Sequence, residues 1–108
     1  MKFTISLIIP PTQVIKLAVE PGDVIIAGTD GLFDNLSESQ ILETAATGIE
    51  QCLHPEEVAW PVAQQAYHIS MDREAVTPFM QASLMAGTRH IGGKQDDITV
   101  IVSRILDT

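Results

Sequence analysis

Apolar positions along this chain follow two rhythms. Residues 24–27, Val-Ile-Ile-Ala, form a short run rich in β-branched side chains, bounded by Gly22 and Gly28, which predicts a buried strand. Residues 14–19 and 98–105 are β-prone in the same way. Glu20-Pro21-Gly22-Asp23 lies between residues 14–19 and 24–27. Pro21 presets φ and Gly22 supplies a positive value, which predicts a type II turn and a hairpin of the two flanking strands. An earlier apolar run stops at Pro10-Pro11, too soon for a membrane span, so residues 1–10 read as a leader that is either disordered or strand-forming.

From Ser37 the period becomes helical. Ser37-Glu38-Ser39-Gln40 has the spacing of a capping box, with Ser37 capping and Gln40 reaching back. Ile41, Leu42, Ala45, Ala46 and Ile49 then define one apolar face, with Glu38, Glu43 and Glu50 left to solvent. Gly48 or the residues before Pro55 end this helix. Pro55-Glu56-Glu57 opens a second, and because proline in a helix interior costs about 3 kcal/mol, a break or kink is expected at Pro61. The firmer part runs over residues 61–68, where Val62, Ala63 and Ala66 begin an apolar face that continues to Ile69. Thr77-Pro78 reads as the cap and first residue of a third helix containing Phe79, Met80, Leu84 and Met85, with Gly87 as terminator. Residues 88–97 read as loop.

The order is strand, strand, helix, helix, helix, strand. Clustered strands and clustered helices indicate the α+β class, with an antiparallel or mixed sheet. Three strands make a narrow sheet, and so few elements cannot cover an apolar strand on both faces. Residues 1–108 therefore read as part of a single larger domain.

Composition narrows the function classes. With 45% apolar residues, a modest core is within reach. Six basic against fourteen acidic residues give a formal charge of −8, which argues against nucleic acid or an anionic membrane as partner. The single cysteine, Cys52, excludes an internal disulfide and a cysteine-based zinc cluster; it reads as a buried small hydrophobe.

The candidate chemistry lies in two carboxylate clusters. Asp30 follows the 24–27 run closely and Asp34 lies four residues further, both in the turn after it; Asp96 and Asp97 lead into the last strand. Gly31 permits a sharp turn or a close backbone approach beside Asp30. Hard oxygen ligands without histidine favour magnesium or manganese over zinc. Two such metals activate a water and neutralise a phosphoryl group with no protein nucleophile. The competing reading is that these aspartates only shape a turn and start a strand. If the strands at residues 24–27 and 98–105 are neighbours, Asp30 and Asp96 meet at one sheet edge.

Two families place similar residues together. The haloacid dehalogenase type of phosphatase also sets Asp-Gly, a hydrophobe and Asp after a strand, but its nucleophilic aspartate position is Gly28 here, so its covalent mechanism has no nucleophile. Pro21-Gly22-Asp23, Thr29-Asp30-Gly31-Leu32-Phe33-Asp34-Asn35 and Gly92-Gly93-Lys94-Gln95-Asp96-Asp97-Ile98-Thr99-Val100, in this order and separation, resemble the C-terminal half of the protein phosphatase 2C family of metal-dependent serine/threonine phosphatases. The likeness covers about residues 10 to 106 and is nearest the mitochondrial and plastid branch.

That resemblance implies an α-β-β-α layered sandwich, two packed antiparallel sheets flanked by helices, with a binuclear manganese or magnesium site at one edge. It implies that Asp30 and Asp96 ligate the same metal and that Asp34 helps hold a third, weaker one. Gly31 and Asp97 support these ligands from behind, Asp97 by orienting its neighbour. The implied substrate is a phosphoprotein, and the implied compartment is intracellular, in the mitochondrion or plastid. The family's N-terminal acidic residue, its bridging aspartate in an Asp-Gly-x-Gly-Gly type motif and its phosphate-holding arginine have no match here, which leaves roughly half of a metal site. A non-catalytic interaction domain is the alternative. His54, His68 and His90 share no ligand spacing, Arg73 and Arg89 read as solvated, and Gly92-Gly93-Lys94 lacks the glycine spacing and following helix of a phosphate loop. Met71, Met80 and Met85 with Phe79 read as core or cover.

Overall fold

The computed structural model describes residues 5–10 and 17–107. Three strands and four helices follow one another in the order β1 (Ile5–Ile8), β2 (Val24–Gly28), α1 (Asp30–Phe33), α2 (Glu38–Glu50), α3 (Pro55–Ser70), α4 (Pro78–Met85) and β3 (Val100–Arg104). The sheet order is β1-β2-β3, with β1 parallel to β2 and β3 antiparallel to it, so the sheet is mixed.

The β2 register, Val24 opposite Arg104 and Gly28 opposite Val100, carries the end of β2 to the start of β3. Alternation along β2 places Val24 and Ile26 on the buried face. They pack with Leu32, Leu36, Ile41, Ala45, Ile49, Val58, Val62 and Ala66, with Ile5, Leu7, Val100 and Val102 beside them. One face of the sheet thus meets the helices. The other, with Ile25, Ala27 and Ile101, lies outside this core, and Ile101 is 57% exposed.

The expected turn is present: Asp23 N donates to Glu20 O at 3.0 Å and Gly22 has φ +93°. The hairpin is not. Residues 17–20 have no regular structure, residues 14–16 lie outside the described residues, and the strand paired with β2 is Ile5–Ile8, running parallel. A hairpin joins only antiparallel strands, so a parallel partner must come from further away in sequence.

The helical rhythm is realised with two corrections. At α2, Ser37 Oγ accepts from Gln40 N at 3.3 Å while Ser37 N donates to Gln40 Oε1 at 2.8 Å, completing the capping box. Of the two ends expected for α2, the one before Pro55 is realised: Gly48 packs inside the helix against Val58, and the chain turns out at Cys52, a non-glycine residue with φ +61° whose N–H reaches Ile49 O at 3.0 Å. Cys52 is therefore exposed, contrary to the buried position expected of a small hydrophobe. The left-handed cap puts it past the end of the helix and outside the α2–α3 contact.

The second correction concerns α3, which runs through Pro61 without a break. Val58, Val62 and Ala66 on both sides of Pro61 are buried against the core, and this packing outweighs the one backbone bond that proline removes. α4 begins as expected: Thr77 Oγ1 accepts from Met80 N at 3.2 Å, Pro78 opens the helix, and Gly87 follows it with φ +80°. Only Ser83 of α4 is buried, and Met85 is 91% exposed. The last strand is shorter than the expected 98–105, pairing only over Val100–Arg104.

Candidate metal centre

Asp30 and Asp96 arrive at the same end of the sheet because the chain segments that carry them are locked together. Thr29, at the end of β2, continues the ladder by donating its N–H to Thr99 O at 3.1 Å. Its hydroxyl donates to Asp97 O at 2.8 Å and accepts from Thr99 N at 3.1 Å. That hydroxyl, at the cap position of α1, serves the neighbouring segment and leaves α1 uncapped by a side chain. Gly31 lies so close to the Asp97 carbonyl that a Cβ would collide with it, which is why a glycine follows Asp30.

Asn35 ties the second point. It is 1% exposed, its Nδ2 donates to Gly31 O and Lys94 O at 2.8 Å each, and its Oδ1 accepts from Lys94 N at 2.8 Å. One amide thus uses both donors and its acceptor to hold α1 to the 92–97 loop. The same loop is seated from the other side: Gly93 N donates to Asp72 O at 2.8 Å, Thr77 Oγ1 to Gly92 O at 2.9 Å, and Gly92 has no room for a side chain beside the Arg73 carbonyl. The Gly92-Gly93 pair is a close-packed joint against the end of α3.

The carboxylates differ in what they touch. Asp30 is exposed and its carboxylate makes no hydrogen bond or ion pair among the described residues. Asp96 is exposed, and its Oδ1 accepts from Asp97 N at 2.8 Å, which fixes that side chain's direction and leaves its other oxygen open. Asp34 is committed: its Oδ2 lies 3.4 Å from Lys94 Nζ. The Lys94 ammonium is 4.5 Å from the centre of the Phe79 ring, and Phe79 meets His90 edge to face at 4.8 Å. Beside Asp96 and Asp97, a groove of about 470 Å³ opens against α3, with Trp60, Tyr67 and His68 on its far wall.

The two carboxylate-bearing segments at one end of the sheet offer hard oxygen donors, the type that magnesium and manganese accept. Among the described residues no group of three His, Cys, Asp or Glu side chains is gathered closely enough to hold a metal ion. His54 and His68 are exposed at the two ends of α3, and His90 contacts Phe79 and Gly93 O. Thr29, Asn35 and Lys94, which position the aspartates, carry no ligand-type signal in the sequence. The nearest to one is Asn35, a polar residue directly before Leu36 in a buried stretch.

The chain's likeness to known proteins matches this geometry. No protein-family model matches it. It is 46% identical over 93 residues to probable protein phosphatase 2C 55 of Arabidopsis thaliana, which covers 86% of this chain and 20% of that protein. It is 36% identical over 93 residues to the protein phosphatase PTC7 homolog of Xenopus laevis, covering 82% of this chain and 30% of that one. The solved structure of the photosystem II phosphatase PBCP superposes with a TM-score of 0.71 at 29% identity, over 82% of this chain and 38% of that chain. The chain thus spans less than a third of the length of either relative. In sequence and in fold alike, the chain belongs to the protein phosphatase 2C family.

Proposed function

We propose that this chain supplies one wall of a metal-dependent phosphatase centre that hydrolyses phosphoserine and phosphothreonine in proteins. The observation that supports this reading is the contact of Gly31 with the Asp97 backbone, which sets the segment carrying Asp30 against the segment carrying Asp96. Asp30 and Asp96 would hold a manganese or magnesium ion, and Asp34 would contribute a weaker ligand. A bound divalent metal supplies an activated water and charge stabilisation for attack on phosphorus.

The chain's own residues position these ligands. Asp97 N–H orients Asp96, Thr29 and Gly31 set the separation of the two turns, and Asn35 keeps α1 from swinging away. By family likeness the substrate is a phosphoprotein and the compartment a mitochondrion or plastid.

The test is a segment exchange. The 93-residue matching segment of the Arabidopsis relative is replaced by the corresponding part of this chain, and manganese-dependent hydrolysis of a phosphoserine peptide is measured. The exchanged enzyme is expected to be active and to lose at least about a hundredfold in rate on Asp30→Ala, as removal of a metal ligand does. A folded but inactive exchange protein would favour the non-catalytic interaction reading, and activity that ignores Asp30 and Asp96 would overturn their roles as ligands.

A further inference from the structure

The helix α3 uses only one of its faces for the core, through Val58, Val62 and Ala66. Trp60 and Tyr67, seven residues apart and so on one face of the helix, are 65% and 56% exposed. Tyr67 also meets the His68 ring edge to face at 5.7 Å. Single exposed aromatics are ordinary on protein surfaces, but these line one concave groove of about 470 Å³, together with Ala63 and Ile98. Asp96 and Asp97 line the same groove. The backbone of Asp97 is engaged, its N–H by Asp96 and its carbonyl by Thr29, whereas its carboxylate has no hydrogen bond or ion pair among the described residues. No lysine or arginine is among the groove's lining residues, and the sequence has none between Lys16 and Arg73. The groove thus joins aromatic rings to an uncompensated carboxylate.

We propose that this groove receives an arginine side chain of the phosphoprotein substrate, from a residue near the phosphorylated one. A guanidinium stacks on aromatic rings and pairs with a carboxylate at the same time. A lysine ammonium is more strongly hydrated and does the first less well, and an acidic side chain meets repulsion from Asp97. The inference rests on the proposed phosphatase reading, which supplies the substrate class. Asp96 belongs both to the groove and to the candidate centre, so a side chain held in the groove lies beside the reacting phosphate. Trp60, Tyr67 and Asp97 then select the sequence around the phosphorylated residue.

Trp60 is the only tryptophan of the chain, so its emission reports occupancy of the groove. The first arm of the test uses the 108-residue chain with no metal present. A short unphosphorylated peptide carrying one arginine is titrated against its citrulline counterpart, which keeps the shape and removes the charge. The arginine peptide is expected to bind about three- to tenfold more tightly, the range of a partly desolvated cation on aromatic rings. Asp97→Asn, which keeps the backbone contacts, and Tyr67→Ala, at an exposed position, are each expected to reduce that ratio to below about twofold. Equal binding of the two peptides overturns the inference. So does a ratio that survives either substitution, which would mark general attraction to an acidic chain. The second arm gives the segment-exchanged enzyme the same two peptides with a phosphoserine added. Arginine in place of citrulline is expected to lower KM by about threefold or more with kcat unchanged, and Tyr67→Ala to remove the difference. An equal KM overturns the inference even when the first arm succeeds. An enzyme inactive on both peptides overturns the phosphatase reading, and with it the substrate assignment, whereas the first arm reads arginine binding without catalysis and keeps the two failures apart.

Discussion

At the scale of single residues, the site is held by groups that are not ligands. Asn35 satisfies Gly31 O, Lys94 O and Lys94 N with one buried amide, so Asn35→Ala strands three backbone groups. A loss of about 2–4 kcal/mol is expected from this, measured as a drop in the urea midpoint. Asn35→Asp is expected to cost more, because it keeps the acceptor for Lys94 N but sets a carboxylate against two carbonyls. Gly31→Ala separates stability from function differently. Its methyl group must push α1 away from Asp97, costing about 1–3 kcal/mol, and it moves Asp30 relative to Asp96. Manganese affinity is expected to fall together with stability.

Asp30, Gly31, Asp34, Asp96 and Asp97 were legible as candidates because aspartate after a strand and glycine beside it are local signals. The clamp formed by Thr29 and Asn35 was not legible, since its partners in the 94–99 segment lie between 59 and 70 residues away. The exposure of Cys52 was missed for a related reason. Burial was read from side-chain type, whereas the left-handed backbone of that position decided it.

At the scale of elements, caps and periodicity were readable and strand pairing was not. Ser37–Gln40 and Thr77–Pro78 announce helix starts through contacts three residues apart, and the helices begin there. The β1–β2 pairing contains no such local information: a parallel ladder is reached through a crossover, so neither strand's residues name the other. The local Pro21-Gly22 turn formed as its chemistry requires, yet it leads out of an irregular segment rather than out of a paired strand.

Pro61 shows tertiary packing overriding a local breaker. Lying within α3, it leaves the Glu57 carbonyl without its helical donor. Pro61→Ala restores that N–H while leaving Val58 and Val62 in place. It is expected to stabilise the chain by about 1–2 kcal/mol, less than the full helix-interior cost of proline because the unfolded chain also gains freedom. Thermal unfolding followed by circular dichroism checks this, and a lower melting temperature would mean that the α2–α3 packing depends on the proline ring.

At the scale of the whole molecule, the decisive feature is that, among the described residues, the helices pack their core against one face of the sheet. Ile25, Ala27 and Ile101 lie on the face away from the helices, and β1 and β3 are its edges among the described residues. An apolar face next to an open strand edge favours pairing with another chain. The 108-residue chain is therefore expected to self-associate with rising concentration, as read by sedimentation velocity. Ile101→Lys places a charge on both the outer face and the β3 edge, and is expected to shift the population toward monomer with the helical circular dichroism unchanged. Met85→Lys adds the same charge at an exposed position on α4, outside the sheet, and is expected to leave the association as it was. Equal rescue by both substitutions would show that net charge governs association. Rescue by Ile101→Lys alone would assign it to the sheet, the surface that the sequence had already marked as too apolar for so few elements to cover.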